Sequence, residues 1–456
     1  MSDRTVPHYL MTLAQFAAST PLAGISAAAR ERARWVIADS IPVIAAGMQQ
    51  PEMKAYVMKH LAEAAPGTAW VIGTGRRAGA LDAALLNGTA GTWLELDEGN
   101  LFAKGHPGIQ VVPAAVALAQ SAGYSGAEVL RAVALGYELS ARISRAAQMR
   151  LIFHPHGTYG VIGAAIAAGV LKGFDAGHML EVIRCAATMG MAASRQTLLD
   201  GATVRNIFTG HSGFMGLTAA RLVECGFTGE VDGVGNAYGK GIYSDEFDPA
   251  RAVAGLGHEW LIVQSYFKLH PIGRYAHSAI DALEDLLAKV PGRRLSPADI
   301  EHIDVKAYKL AASLAGKNIV SSFGARFSVP FALASILVHG RSGLGSFDEA
   351  AVANPAVQAL VQRIDICEEP ALTARYPKEQ PVTVRITLKH GTRYEGSCTI
   401  TKGEPANPHT SADLTGKFNE LGEPIWGKST TQTLYERLMK LEDVGDMRAL
   451  AGELAL

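Results

Sequence analysis

Cysteine is scarce in this chain of 456 residues. Its four cysteines, Cys185, Cys225, Cys367 and Cys398, lie far apart and form no C-x-x-C pair. A disulfide-stapled fold needs closely spaced cysteines, and a thiolate metal site needs them in characteristic pairs. The sequence therefore excludes both classes and favours a protein whose thiols stay reduced.

The chain also lacks an excess of charge of either sign. Lysine and arginine total 42 against 43 aspartate and glutamate residues, the formal net charge is -1, and the basic residues form no run. A protein that binds nucleic acid uses a basic patch to neutralise phosphates. We therefore expect no nucleic-acid partner.

Long apolar runs are absent as well. No stretch approaches the roughly 20 apolar residues that cross a bilayer. The opening MSDRTVPHYLMTLAQF lacks the basic, apolar and small-residue order of a signal peptide. These absences predict a cytoplasmic protein with no membrane partner.

What the chain does have is a large apolar fraction. With 48% hydrophobic and 19% charged residues, the composition predicts a packed core, and the length favours two domains. Up to about residue 225 the pattern is helical. Ser125, with Glu128 three positions on, has the order of a capping box at a helix start. AWVIGTGRRAG resembles a dinucleotide-binding fingerprint, but its third glycine is wrongly spaced, and we interpret the segment as a loop.

Alternating apolar and polar residues begin beyond Lys268. IEHIDVKAY and VTVRITLKHGTRYEGSCTI are typical of strands, the second with a His-Gly turn that indicates a hairpin. Helical periodicity returns after about residue 405. The sequence thus predicts a mainly α fold. A large all-α helical domain is formed by both chain ends, residues 1–265 and 405–456, and a smaller α+β domain is inserted at residues 266–404.

Ionisable residues gather in a stretch that follows an apolar, alanine-rich helix. ELDEGNLFAKGHPG, residues 95–108, carries Glu95, Asp97 and Glu98 ahead of Lys104 and His106. Three carboxylates cannot all be buried in charged form without cationic partners, because like charges raise one another's pKa. The stretch is either a solvated loop that caps a helix or the wall of an active site.

Histidines and further cations stand at the starts of other helices. HPHGTYG places His154 and His156 before an apolar helix, where a neutral imidazole can act as a general base. No third ligand follows at a metal-site spacing, so we expect no metal. DGATVRNIFTGHSG and FKLHPIGRYAH add Arg205, Lys268 and His277 next to glycines. Together the clusters predict a cavity for a small polyanion.

The order of these clusters resembles that of the MmgE/PrpD family. The similarity rests on ELDEGN…GHPG, HPHGTYG, GATVRN, the K-x-x-P-x-x-x-x-x-H that begins at Lys268, FSVPFALA and GEPANP…KF. The resemblance implies an enzyme without a cofactor that acts on a small di- or tricarboxylate. It also implies a homodimer and an active site between the two domains.

The resemblance further implies which residues form the site. We assign catalysis to His106, His154, Asp97 and Lys268, and substrate binding to Arg205, Lys104, His277 and Glu95. In this hypothesis the two imidazoles exchange protons, Asp97 orients one of them, and Lys268 and Arg205 hold substrate carboxylates.

Two positions depart from the family pattern and leave the reaction open. The acidic stretch usually reads Asp-x-Asp-Asp-Thr in dehydratase-like and decarboxylase-like members, whereas Gly99 here has no hydroxyl. Arg205 stands where lysine is commoner, and an arginine is a poor proton carrier, so we assign it to carboxylate binding. We expect a dehydratase first. An epimerase, a decarboxylase or a non-catalytic polycarboxylate-binding protein are the alternatives.

Overall fold

The computed structural model describes residues 5–239 and 241–450. The helices within these residues are α1 His8–Ser19, α2 Ala27–Met48, α3 Pro51–Glu63, α4 Ala80–Gly91, α5 Pro107–Ala122, α6 Gly126–Ala146, α7 Tyr159–Leu171, α8 Ala176–Ala187, α9 Gln196–Leu199, α10 Ile207–Glu224, α11 Gly233–Tyr238, α12 Pro249–Val253, α13 His277–Ala288, α14 Lys309–Ala312, α15 Ser322–Ala325, α16 Val329–His339, α17 Glu349–Ala353, α18 Pro355–Val361, α19 Pro370–Thr373 and α20 Ser411–Met439. The strands are β1 Ala69–Val71, β2 Arg76–Ala78, β3 Ala147–Met149, β4 Ser244–Phe247, β5 Ile300–Ala307, β6 Ile364–Glu368, β7 Val382–Leu388 and β8 Arg393–Cys398.

A group of closely packed helices, α4, α5, α6, α7 and α10, forms the centre of the first domain. Small residues allow this close approach. A Cβ added to Gly136 of α6 would lie 2.5 Å from the carbonyl oxygen of Gly163 in α7. The predicted capping box at the start of α6 is confirmed, because the Ser125 side chain accepts from the Glu128 amide and Glu128 accepts from the Ser125 amide.

A four-stranded sheet in the order β6-β5-β7-β8 organises the second domain. β5 pairs parallel with β6 and antiparallel with β7, and β7 and β8 form the predicted hairpin around His390 and Gly391. Buried residues alternate along β5 and β7 as a sheet with one covered face requires. Helix α13 packs on β7 and β8, and the parallel pair is joined by a connection that contains α16.

The buried apolar side chains form two separate cores. One extends from Tyr9 to Phe267 and resumes from Phe418 to Leu450, and the other lies between Ile272 and Cys398. Helix α20 packs on α2, which returns the end of the chain to the first core. The mainly α fold is confirmed. The proposed domain boundaries stay a prediction, and their residues 1–4, 240 and 451–456 lie outside the described residues.

The GTG segment forms a tight turn. β1 and β2 pair antiparallel around Gly73 and Gly75, whose φ angles are 75° and 65°. Such angles suit glycine because it has no Cβ. In the described part of the chain, no helix combines the length and the apolar character of a membrane span.

Candidate active site

The acidic loop, residues 94–98, lies between α4 and α5 and is buried. The side chains of Glu95, Asp97 and Glu98 are at most 2% exposed. A buried carboxylate is stable only when cations or hydrogen-bond donors compensate it. Of the two alternatives left by the sequence, the solvated loop is therefore excluded.

Each of the five residues in the acidic loop is contacted by a different basic side chain. The contacts are Arg326 Nη1 to Leu94 O at 3.3 Å, Arg205 Nη2 to Glu95 Oε1 at 2.6 Å, Lys417 Nζ to Leu96 O at 2.6 Å, Lys268 Nζ to Asp97 Oδ1 at 3.1 Å, and His106 Nδ1 to Glu98 O at 2.6 Å. These side chains come from both domains and from α20. The loop is thus held by groups from most of the chain.

Backbone strain occurs in the same stretch. Glu95 and Lys104 have φ angles of 54° and 55°, in the left-handed region that residues other than glycine rarely occupy. Such a conformation costs on the order of 1–3 kcal/mol and is often found at functional sites. The ion pairs of Glu95 with Arg205 and Lys268 hold this side chain in place.

Asp97 connects a cation to an imidazole. Burial alone would raise the pKa of its carboxyl, but His106, Lys268 and Arg205 outweigh burial and lower the pKa below its usual range. Asp97 is therefore ionised near neutral pH. Its Oδ2 lies 2.9 Å from His106 Nδ1, so a positive charge that forms on this ring is stabilised.

The hydrogen-bond partners of His106 fix its tautomer. Nδ1 lies 2.6 Å from the carbonyl oxygen of Glu98 and 2.9 Å from the carboxylate of Asp97. Neither oxygen has a hydrogen to donate, so Nδ1 carries one. Nε2 of the neutral ring is then left to accept a proton, as a general base requires.

His154 has the opposite surroundings. The amide of His156 donates to its Nδ1 at 3.1 Å, and Arg205 Nε lies 3.2 Å from its Nε2. A neutral imidazole carries one hydrogen, on either Nδ1 or Nε2. Because each nitrogen of His154 has a donor beside it, the nitrogen that carries the hydrogen faces another donor. The amide is fixed in the backbone, which favours the hydrogen on Nε2. Burial and then the positive charge of Arg205 lower the pKa of His154 well below its ordinary value, so the ring is neutral.

His156 was not assigned to the site from the sequence, although it belongs to the same HPHGTYG motif. The ring is 1% exposed, and neither nitrogen has a hydrogen-bond partner among the described residues. It contacts His154 and His106 edge-on, with ring centroids 4.5 Å and 5.0 Å away. Burial, followed by the charge of Arg205, lowers its pKa well below the ordinary value. The nitrogens of this buried ring are therefore free to bond to a molecule in the cavity.

A cavity of about 390 Å³ lies between the two domains and contains the three imidazoles. Its size is in the range of small-molecule sites. The first domain contributes Glu95, Lys104, His106, His154, His156, Arg195 and Arg205, and the second contributes Tyr275, Leu310, Leu314, Phe327 and Tyr376. A larger groove of about 930 Å³ is lined by Lys104 and the acidic residues Asp232, Asp245, Glu246 and Asp248, and it contains no histidine. The smaller cavity is the candidate active site.

The structure brings most of the residues assigned from the sequence to this cavity. Its lining includes Glu95, Lys104, His106, His154 and Arg205. Asp97 and Lys268 lie directly behind it, bonded to each other and almost fully buried. The Lys104 ammonium donates to the backbone oxygen of Ala147. Lys268 is thus placed to support the acidic loop and does not itself line the cavity.

His277 does not join this group. It is buried at the start of α13, where Nε2 lies 3.1 Å from the carbonyl oxygen of Ile272 and the ring lies beside His270. It is not among the residues that line the cavity. Its assignment to substrate binding stays a prediction that this position does not favour, because the ring bonds to the backbone of the turn that begins α13.

Asp97, His106 and His156 form a donor group that a metal ion could use. One atom from each lies within 4.8 Å of the others, and no other such group occurs in the residues that the structure describes. Lys268 and Arg205 stand beside the group, and their positive charges oppose a bound cation. The expectation of no metal stays a prediction.

Another side chain fills the space beside Gly99, the position at which the family pattern has a threonine hydroxyl. A Cβ added to Gly99 would lie 2.3 Å from the hydroxyl oxygen of Tyr266, and the two residues pair through their backbones. Tyr266 is 3% exposed and lines the cavity. The tyrosine hydroxyl therefore occupies the space that a side chain at position 99 would need.

The fold and the site define a two-domain, mainly α protein with a buried group of imidazoles and carboxylates between its domains. Residues 11–244 match the MmgE/PrpD N-terminal domain and residues 270–442 match the MmgE/PrpD C-terminal domain. The chain belongs to the MmgE/PrpD family, as the order of its motifs indicated.

Curated relatives of the chain include proteins named cis-aconitate decarboxylase. Cis-aconitate decarboxylase of Aspergillus terreus (strain NIH 2624 / FGSC A1156) is 25% identical over 452 residues, which cover 92% of this chain and 90% of that protein. The cis-aconitate decarboxylase of Mus musculus is 25% identical, with 81% of this chain and 77% of that protein covered. The one of Homo sapiens is 24% identical, with 81% and 78% covered.

Proposed function

We propose that the chain is a lyase that moves protons at a carbon next to a carboxylate of a small organic acid. The observation that carries this proposal is that one cavity contains His106, with Nε2 able to accept a proton, together with the donors of His154 and Arg205. Proton removal next to a carboxylate requires a base and donors that stabilise the charge on the oxygens.

The surroundings of each group support a division of roles. His106 Nε2 takes the proton from carbon, and the ionised Asp97 stabilises the resulting imidazolium. Without substrate, the Nε2 hydrogen of His154 faces the Nε hydrogen of Arg205, so two donors oppose each other. A substrate carboxylate oxygen that accepts from both donors removes this conflict. Lys268 keeps Asp97 and Glu95 in position. In these roles His106 is the base and His154 a neutral hydrogen-bond donor.

Dehydration of a hydroxy acid is the first reaction that we propose. His106 removes the proton next to the carboxylate, the carbon–oxygen bond breaks, and the imidazolium returns its proton to the departing hydroxide as water. The products are an alkene and water, and the enzyme regains its starting state. Epimerisation would need a second proton carrier on the opposite face of the carbon, and His154, which is held neutral beside Arg205, is a poor one.

Decarboxylation is the second candidate, and the names of the relatives favour it. In that reaction His106 first takes up a proton from solvent at Nε2; the carbon–carbon bond to a carboxylate then breaks, carbon dioxide leaves, and His106 gives this proton to the carbon. The same cavity would serve both reactions, because each builds up charge next to a carboxylate.

Proton NMR in deuterated water distinguishes the reactions. Incubation with hydroxylated and unsaturated di- and tricarboxylates should yield an alkene for dehydration, carbon dioxide and a deuterated product for decarboxylation, and deuterium in recovered substrate for epimerisation. Binding without any turnover would instead favour a non-catalytic polycarboxylate-binding protein.

Variants of His106 test the proposed base. His106→Asn should lower kcat about 10²- to 10⁴-fold, the usual contribution of a general base. KM should change little, because Arg205 and His154 still bind the carboxylate. His178→Asn, at an exposed histidine, is the matched control and should behave as the wild type. Wild-type turnover in His106→Asn would refute the assignment.

The homodimer is also a proposal, and it rests on the resemblance alone. Light scattering coupled to size-exclusion chromatography would test it, since a dimer has twice the chain mass of 48.2 kDa. A single species at the chain mass over the working concentration range would overturn it.

A further inference from the structure

We infer that the substrate carries an apolar substituent in addition to one or two carboxylates. The inference deepens the proposed function and rests on it, because it concerns the ligand of the same cavity. It follows from how the charged and apolar groups are distributed over the cavity lining.

Most positive charge at the cavity is already balanced within the protein. Three of its cationic side chains are ion-paired: Arg205 with Glu95, Arg150 with Asp245, and Arg274 with Glu404. Lys104 donates to a backbone oxygen. The guanidinium of Arg195 forms no hydrogen bond or ion pair within residues 5–239 and 241–450. Little charge is thus left for a ligand beyond the one carboxylate that Arg205 and His154 bind, and Arg195 is the cation best placed to receive a second.

Much of the lining that the second domain contributes is apolar. It includes Leu310, Leu314, Phe327, Tyr376 and Pro377, beside the ion-paired Arg274. The first domain extends this apolar surface with Leu151, Phe153 and Leu198. Half of the residues that line the cavity are aliphatic, aromatic or proline.

A tricarboxylate does not match this distribution. At least one of its carboxylates would lie against the apolar surface, where a desolvated charge without a partner is unfavourable. An alkyl or aryl group in the same place would be removed from water by Leu310 and its neighbours, which is favourable. The cavity therefore matches a dicarboxylate with a hydrophobic side group better than a citrate-like ion.

Calorimetric titration with 2-substituted maleates tests the inference. The substituents are hydrogen, methyl, propyl, butyl and phenyl, and cis-aconitate serves as the tricarboxylate comparison. The Kd should fall about fourfold for each added methylene. Butylmaleate should bind more tightly than cis-aconitate. A Kd that is constant or rises along the series would overturn the inference.

Two pairs of neighbouring leucine and isoleucine positions provide matched variants. Leu151→Gln and Leu198→Gln alter the apolar surface, whereas Ile152→Gln and Leu199→Gln alter adjacent residues that do not line the cavity. Leu151 and Ile152 are 61% and 67% exposed, so neither substitution disturbs the core. The two lining variants should lose at least half of the gain per methylene, and the two controls should keep it.

The Arg195→Gln variant tests the binding of the carboxylate separately from the binding of the apolar substituent. This variant should weaken every maleate by a similar factor, about tenfold for the loss of one charge-assisted hydrogen bond. The gain per methylene should remain. A loss confined to the long-chain members would contradict the placement of the two groups.

The titration tests the apolar substituent and the NMR assay tests the lyase activity, so either one can give a negative result without the other. Tighter binding with longer substituents but no turnover would support the inference and contradict the proposed lyase. Turnover of short dicarboxylates without any gain from the substituents would support the lyase and overturn the inference. No binding by any member of the series would overturn the inference as well.

Discussion

Lys417 should be among the most important residues for the stability of the protein, although it lies outside the cavity. Its Nζ is 2.5 Å from Asp39 Oδ1 and 2.6 Å from the carbonyl oxygen of Leu96 in the acidic loop. Both side chains are buried, and burial raises the pKa of Asp39 and lowers the pKa of Lys417, so each depends on its partner to stay charged. Lys417→Met therefore leaves the Asp39 carboxylate buried without a partner. Removing one member of a buried pair costs about 3–5 kcal/mol, and the lost hydrogen bond to Leu96 adds about 1 kcal/mol.

The double variant Asp39→Asn with Lys417→Met gives the sharper test. It removes both charges of this buried pair, so we expect it to be only about 1–2 kcal/mol less stable than the wild type, mainly through lost hydrogen bonds. It should therefore be more stable than Lys417→Met alone. The difference is the coupling between the two residues, which a double-mutant cycle measures.

Urea unfolding followed by tryptophan fluorescence supplies the free energies. Trp35 lines the same small cavity as Asp39 and Lys417, so its emission reports on this contact. Lys428→Met, at an exposed lysine of α20, is the matched control and should stay within about 0.5 kcal/mol of the wild type. The coupling is refuted if the free energy of unfolding falls by less than about 1 kcal/mol in Lys417→Met, or if its fall in the double variant equals the sum of the falls in the two single variants.

Three further results are expected. Gly99→Thr should strongly reduce activity and stability because its Cβ would overlap the Tyr266 hydroxyl, and Tyr266→Leu in the same chain should restore stability; an unchanged melting temperature in Gly99→Thr would contradict the contact. Burial, which outweighs the other influences, raises the pKa of Glu98 from its ordinary 4.5 to about 8, so the folded state holds the extra proton between these values and stability should decrease as pH rises through this range. Glu98→Gln should flatten this decrease in urea-unfolding midpoints measured from pH 5 to 9, and an equal slope in both proteins would count against the raised pKa. Dialysis against EDTA should leave kcat unchanged, whereas a loss that zinc restores would mean that the donor group holds a metal.

Features set by local sequence were predictable. The capping box at Ser125, the hairpin at His390 and Gly391, and the helices that follow His106 and His154 depend on residues within a few positions of each other. Helical periodicity and alternation therefore gave the mainly α fold. The grouping of the histidines came from the family resemblance, because local patterns do not tell which helix starts meet.

Features that depend on distant contacts were not predictable. His277 stands in a cluster of basic residues like the others, but its ring is turned toward the backbone of Ile272 rather than the cavity. His156 and Arg195 were missed because a histidine or arginine near a turn is common, and only the structure shows that both line the cavity without a side-chain hydrogen bond to any other described residue. The Tyr266 hydroxyl could not be related to Gly99 from sequence, since nothing local connects the two positions.

The contacts that hold the acidic loop also affect the order in which parts of the protein fold. Leu96 and Lys417, which meet in the finished structure, are separated by 321 positions. During synthesis from the amino end, Glu95 and Asp97 leave the ribosome long before Lys268, with which both are paired, and before Arg326 and Lys417, which bind carbonyl oxygens of the loop. The loop is fully held only when these cations are in place, so the candidate site is completed last. A nascent or truncated chain thus has no competent centre, however much of its first helical core has already formed.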